Sequence, residues 1–222
     1  SDRKPVSKQV ISIQWDKATA QKGGFSHYML KEIFDQPQTV RTTLAISETE
    51  IETIAEKCLS KKQTFCVGVG TTYYVAMVGT YLFSKFAGIY APSVSADEYP
   101  SLVPVNKDHH VLFLSQSGET YDTRMAIRAA KENNAATSAI VNVVGSSISR
   151  EVDDCIFQGS GPEICVVSTK AALSQMMILW QIVLRTSVMN KSLTQDQADQ
   201  YRENLFDFSR IIEQVVNEES GF

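Results

Sequence analysis

His110-Val-Leu-Phe-Leu-Ser-Gln-Ser-Gly-Glu-Thr120-Tyr-Asp-Thr-Arg-Met-Ala-Ile-Arg-Ala-Ala-Lys-Glu-Asn133 is the stretch that decides the fold. His110 to Leu114 is a short, nearly continuous apolar run, without the alternation expected of a strand that has one wet face. It reads as a strand buried on both sides. Ser115 to Glu119 is turn chemistry, and a helical pattern follows from Thr120 to Asn133. Strand, tight turn, helix is the unit from which parallel sheets are built.

The same unit recurs on either side. Thr64 to Val69 precedes a helical pattern over Thr71 to Ala87, and a weaker run spans Tyr90 to Ser95. Thr137 to Val144 leads to Ser147 to Val152. Asp154 to Gln158 passes through Gly159-Ser-Gly161-Pro162 to a long helix over Ser168 to Met189. The expected architecture is α/β, a three-layer αβα sandwich on a parallel sheet of about five strands.

Outside this core, 1–26 reads as an irregular lead-in, and His27 to Asp35 as a helix that stops before Pro37. Ser47-Glu-Thr-Glu50 is a capping-box pattern that opens a helix with Ile51, Ile54, Ala55, Cys58 and Leu59 on one face. Thr194-Gln-Asp-Gln197 is a second box, opening a last helix to about Glu218. Its stripe is Ala198, Tyr201, Leu205, Phe208, Ile212 and Val215. This stripe and the apolar stretch Ala171 to Leu184 exceed what one small sandwich covers, so a homodimer is expected.

The 222 residues carry 21 Lys+Arg against 25 Asp+Glu, a formal charge of −4, with 43% hydrophobic residues. That balance suits a folded domain able to bury a core without staples, and excludes a disordered tail or a disulfide scaffold. A pI near 5.4 argues against a nucleic-acid or membrane-surface partner. Ala171 to Leu184 is too short to span a bilayer and reads as a buried helix. Cys58, Cys66, Cys155 and Cys165 show no metal spacing and read as reduced, in keeping with a cytoplasmic chain. No cofactor is expected.

Ligands of parallel sheets bind beyond the carboxyl ends of the strands. Three junctions there combine glycine with hydroxyl side chains: Gly68-Val-Gly-Thr-Thr72, Ser115-Gln-Ser-Gly-Glu-Thr120, and Gly159 to Lys170. Glycine admits close backbone approach, hydroxyls donate hydrogen bonds, and helix starts add partial positive charge. Together they suit an anion such as phosphate at all three strand ends. Neither a dinucleotide fingerprint nor a Gly-Lys-Ser/Thr phosphate loop is present. Lys170 is either a catalytic amine or a structural lysine. Glu98, Glu119 and Glu163 near the strand ends stay open as bases.

Leu114 to Thr120, Gly70-Thr-Thr72 and Glu163-Ile-Cys-Val-Val-Ser-Thr-Lys-Ala171 resemble the sugar isomerase (SIS) domain family, whose sandwich is flavodoxin-like. His27-Tyr-Met-Leu-Lys-Glu-Ile-Phe-Asp-Gln-Pro37 resembles the segment that, in the glutamine–fructose-6-phosphate aminotransferase family, joins a glutaminase domain to a pair of SIS domains. The resemblance implies that Thr71, Thr72, Ser115, Gln116, Ser117 and Thr120 bind the phosphate of fructose 6-phosphate or glucosamine 6-phosphate, and that Val166 and Ser168 contact the sugar. It also implies a domain plan: 1–26 as a linker from a glutaminase domain, 27–190 as a first SIS domain, and 191–222 as a helix leading to a second. Base, ring-opening histidine and imine-forming lysine would lie in that second domain, so no catalytic residue is assigned here and the fragment alone is expected to be inactive. The alternative is a non-catalytic SIS module that senses a sugar phosphate for a regulator.

Overall fold

The computed structural model describes residues 20–218. Most of the lead-in, 1–19, therefore lies outside the described residues. Five strands, β1 (Gln63–Gly68), β2 (Ser93–Ser95), β3 (His109–Ser115), β4 (Ala136–Val141) and β5 (Asp154–Phe157), form one sheet in the order β2-β1-β3-β4-β5. All four pairings are parallel. This is the doubly wound order, in which the chain reverses direction across the sheet between β1 and β3.

The strands alternate their apolar residues between two cores, which explains why β3 reads as a continuous apolar run. Leu112 and Leu114 pack with Cys66, Ile140 and Ile156 beneath α3 (Glu48–Ser60), α4 (Thr71–Leu82) and α8 (Lys170–Met189). Val111 and Phe113 pack with Val67, Ala139 and Val141 on the other face, which α6 (Tyr121–Glu132) covers with the short α5 (Tyr99–Leu102) and α7 (Ser147–Glu151). Helices lie on both faces, so the three-layer expectation holds.

Two departures concern the outer helices. α1 (Tyr28–Phe34) stops before Pro37 as expected, but a further helix, α2 (Gln36–Leu44), follows at once with the proline in its first turn. There its missing N–H removes no intrahelical bond, and its fixed φ suits a helix start. The second departure is the two capping boxes. At the head of α9 (Gln195–Glu218) the box forms: Thr194 N donates to Gln197 Oε1 at 2.9 Å and Gln197 N to Thr194 Oγ1 at 3.2 Å. Ser47 precedes α3 as expected, yet its side chain makes no cap bond.

The apolar stretch Ala171 to Leu184 lies within a 20-residue helix, α8, long and apolar enough to cross a membrane by length and composition. It is instead enclosed by its own chain, between the sheet-side core and a third cluster in which Val40 and Leu44 of α2 meet Met177, Leu184, Ala198 and Leu205. Trp180 reaches across to Phe86 and Tyr201, with ring centroids 4.8 and 6.4 Å away. The apolar surplus of α8 is therefore no argument for a second subunit, because α2 and α9 cover it. The α9 stripe is covered at Ala198 and Leu205 but leaves Val215 exposed, with exposed Ile211 one turn before it.

Candidate functional site at the carboxyl edge of the sheet

Because β1 and β3 are adjacent, with Val67 opposite Phe113, the loops that follow them emerge side by side at the point where the chain reverses. That is where an open α/β sheet leaves a crevice. Thr72 and the cluster Ser115, Gln116, Ser117 and Thr120 are thereby brought to one place. Val166 and Ser168 follow β5, two strands further along, and among the described residues no hydrogen bond joins them to the other two loops.

The loop after β3 is braced from within. Ser115 Oγ is buried; it accepts from Gly118 N at 3.1 Å and lies 3.3 Å from Thr120 Oγ1. Ser117 Oγ accepts from Glu119 N at 3.2 Å. An oxygen that accepts keeps its own hydrogen to donate, so Ser117 and one of the Ser115–Thr120 pair each retain an O–H. The first α6 bond runs from Arg124 N to Thr120 O at 3.1 Å, so the amides of Tyr121 to Thr123 precede the intrahelical ladder. Gly118 is required on two grounds: its φ is +66°, and an added Cβ would come within 2.5 Å of Ser146 Cβ and 2.8 Å of Val141 Cγ1.

The loop after β1 is shaped differently. Thr72 is buried, and its Oγ1 both accepts from Val69 N and donates to Val69 O, each at 2.9 Å. Its hydroxyl therefore closes the loop on itself, while Thr71 beside it is exposed. Gly68 allows this closure, since a Cβ there would lie 2.6 Å from the Thr72 backbone.

The third junction does not offer the anion site expected at every strand end. Glu163 accepts from Thr169 N at 3.0 Å, Ala171 N at 3.1 Å and Ser168 Oγ at 3.0 Å, so a carboxylate of the chain already occupies the start of α8. Val166, by contrast, is fully exposed. Lys170 is buried and paired with Asp35 Oδ2 at 2.8 Å, which settles it as structural. Burial raises the Asp35 carboxyl, but hydrogen bonds and charge from Lys170 and Lys31 outweigh this and hold it below the usual carboxylate range.

Two of the three carboxylates left open as bases have structural partners. Glu119 accepts from Ser147 N at 2.8 Å, and the Ser147 hydroxyl, with that backbone bond, lowers its pKa; Glu163 caps α8. Glu98 is exposed at the start of α5.

Sequence reading missed Asn142, at the end of β4. Its backbone N donates to Gln116 O at 3.2 Å, its Nδ2 to Gly161 O at 2.7 Å, and its Oδ1 accepts from Ser160 Oγ at 2.8 Å. It stitches the β3 loop to the β5 loop. A polar side chain directly after an apolar strand was the available signal. Glu32 was also missed: it is almost wholly buried on α1, and its carboxylate accepts from Ile164 N at 2.6 Å.

The SIS domain family model matches residues 58–185. Similar curated proteins include the glutamine–fructose-6-phosphate aminotransferases [isomerizing] of Aquifex aeolicus and Methanothermobacter thermautotrophicus. The first is 40% identical over 190 residues, covering 85% of this chain and 32% of the relative. The second is 41% identical over 180 residues, covering 80% and 30%. The chain thus spans about a third of these relatives' length. Among solved structures, the C-terminal domain of glucosamine-fructose-6-phosphate aminotransferase from Francisella tularensis superimposes with a TM-score of 0.79 at 32% identity, over 86% of this chain and 56% of that one. Glucosamine-6-phosphate deaminase from Thermotoga maritima shares the fold, with a TM-score of 0.59 at 20% identity over 78% and 52% of the two chains.

Proposed function

The chain belongs to the SIS domain family, and from that premise we propose that it is the first SIS half of a glutamine–fructose-6-phosphate aminotransferase, binding the phosphate of fructose 6-phosphate or glucosamine 6-phosphate. The observation that carries this reading is the loop after β3. Ser115, Ser117, Gly118 and Thr120 are braced by one another, yet keep hydroxyl hydrogens and the α6 start beside the switch-point crevice. Hydroxyls and helix-start amides can hold a phosphate without a formal cation, so a chain of charge −4 need not repel it.

The roles divide among the loops. Ser117 and one of the Ser115–Thr120 pair donate to the phosphate, with Gln116 beside them. Thr72 holds the neighbouring loop in shape rather than donating, because its hydrogen is committed to Val69. Val166 and Ser168, on the β5 loop, contact the sugar in this reading. The chain contributes binding and orientation, which holds the reacting carbons in register. Proton transfer between carbons, ring opening and ammonia supply fall to a glutaminase domain and a second SIS domain, so this chain by itself is inactive. Placement in the first half is supported by the segment 27–37 ahead of the sheet. A homodimer is part of the same reading, supported by the exposed Ile211 and Val215 on one face of α9.

Calorimetric titration tests the reading. Saturable binding is expected with glucosamine 6-phosphate and none with unphosphorylated glucosamine. Equal heats for the two, or none for either, would remove the phosphate site.

A further inference from the structure

We propose that Glu32 and Asp35, on and just after α1, are positioning residues that set the sugar-facing loop between β5 and α8 without touching the phosphate; this rests on the sugar-phosphate reading above. Glu32 is 1% exposed, and its carboxylate accepts from Ile164 N at 2.6 Å and from Cys165 N at 3.2 Å. A buried carboxylate is retained only where hydrogen bonds compensate its lost hydration, and here both compensating donors belong to that one loop. Three residues further on, Asp35 takes Lys170 Nζ at 2.8 Å, and Lys170 is 3% exposed.

α1 and the residue after it therefore grip the loop on both sides of 166–169, at 164–165 and at 170. Glu163 fixes the same stretch from the α8 end through Ser168, Thr169 and Ala171. Between these anchors the Val166 side chain is left wholly exposed, held by its flanks and not by contacts of its own. The loop after β3 receives none of these bonds and is braced by its own hydroxyls and by Asn142. Loosening the α1 grip should thus move the sugar contacts and leave the phosphate contacts in place.

Glu32→Gln keeps the shape but weakens the acceptor; Asp35→Asn releases Lys170 at a less buried position. Each is titrated with glucosamine 6-phosphate, and inorganic phosphate is measured by competition. Glucosamine 6-phosphate should weaken about tenfold in both variants, with inorganic phosphate within about twofold of wild type. If Glu32→Gln fails to show a cooperative melt, Asp35→Asn alone decides. Folded variants that bind both ligands like wild type, or lose both equally, overturn the positioning role. Wild-type affinity no greater for the sugar phosphate than for inorganic phosphate overturns it too, since no sugar contact then exists to position. Wild-type chain that binds neither ligand overturns instead the underlying sugar-phosphate reading.

Discussion

The two ends of the sheet use the same residue types to opposite effect. At the amino edge, His110 is fully buried, with Nδ1 3.6 Å from Cys58 Sγ and 3.5 Å from Thr64 Oγ1, and Nε2 3.0 Å from Ser138 Oγ. Burial, with the positive charge of Lys57 and Lys61, lowers its pKa to about 3, and burial pushes the Cys58 thiol up to about 12. This polar knot is sealed, neutral and internally paired. At the carboxyl edge, Ser115 and Thr120 are also paired with each other and Ser117 with Glu119 N, but the loop ends on a helix start and leaves Ser117 and Thr120 partly exposed. Polar residues at one edge stabilise; at the other they stabilise and also remain able to donate. Residue type does not separate these cases. What separates them is whether the hydrogen bonds close.

The comparison predicts which variants change stability and which change binding. The largest effect expected is from Gly118→Ala. A left-handed φ costs an L-residue about 1–2 kcal/mol, and the collision with Ser146 and Val141 about as much again. A loss of about 3 kcal/mol in urea unfolding is expected, and a loss below 1 kcal/mol would mean the loop is not held as described. This is the one site where the carboxyl edge should behave like the sealed edge.

Next in size is the acid response. His110 has a folded pKa far below its ordinary 6.5, so the unfolded chain takes up the proton first as pH falls. Stability from this group is complete above 6.5 and is lost as pH drops toward about 3. Glu119, at the other edge, is depressed from 4.5 by its bond to Ser147, so its contribution is complete above 4.5 and is lost only below it. Urea unfolding at a series of pH values should therefore show a decline that begins near 6.5 and is much reduced in His110→Gln, the remainder coming from His109, whose pKa burial also lowers. A variant that keeps that limb undiminished would show that His110 is not sealed. The smallest difference lies away from both edges. Thr194→Ala removes a formed cap and should cost about 1 kcal/mol, while Ser47→Ala should cost only a few tenths, because its hydroxyl makes no such bond. Equal costs would mean that Ser47 caps in solution.

The sheet was legible because its signal is local. Four apolar runs, each followed by a turn and a helical pattern, with a weaker fifth run at 90–95, leave few other folds. The helix over 36–44 was not, because Pro37 reads as a stop from one side and as a helix start from the other. The hydroxyl-rich loop after β3 could be found in the sequence, but not the fact that Thr72 turns its hydroxyl onto Val69. Glu163 read as a free carboxylate because its partners, Ser168, Thr169 and Ala171, are identified only once the loop folds back. Glu32 lies 132 residues from Ile164, and no spacing rule reaches across that distance. Sequence shows which groups could bind; closure of hydrogen bonds through space shows which are already committed.

Titration of glucosamine 6-phosphate into wild type and into the Ser117→Ala, Thr120→Ala double variant tests the central claim most directly. Losing two donors to a charged ligand should weaken binding by about 3 kcal/mol, roughly a hundredfold, in a variant that still melts cooperatively. Equal affinity in the two proteins would contradict the account and place the phosphate elsewhere.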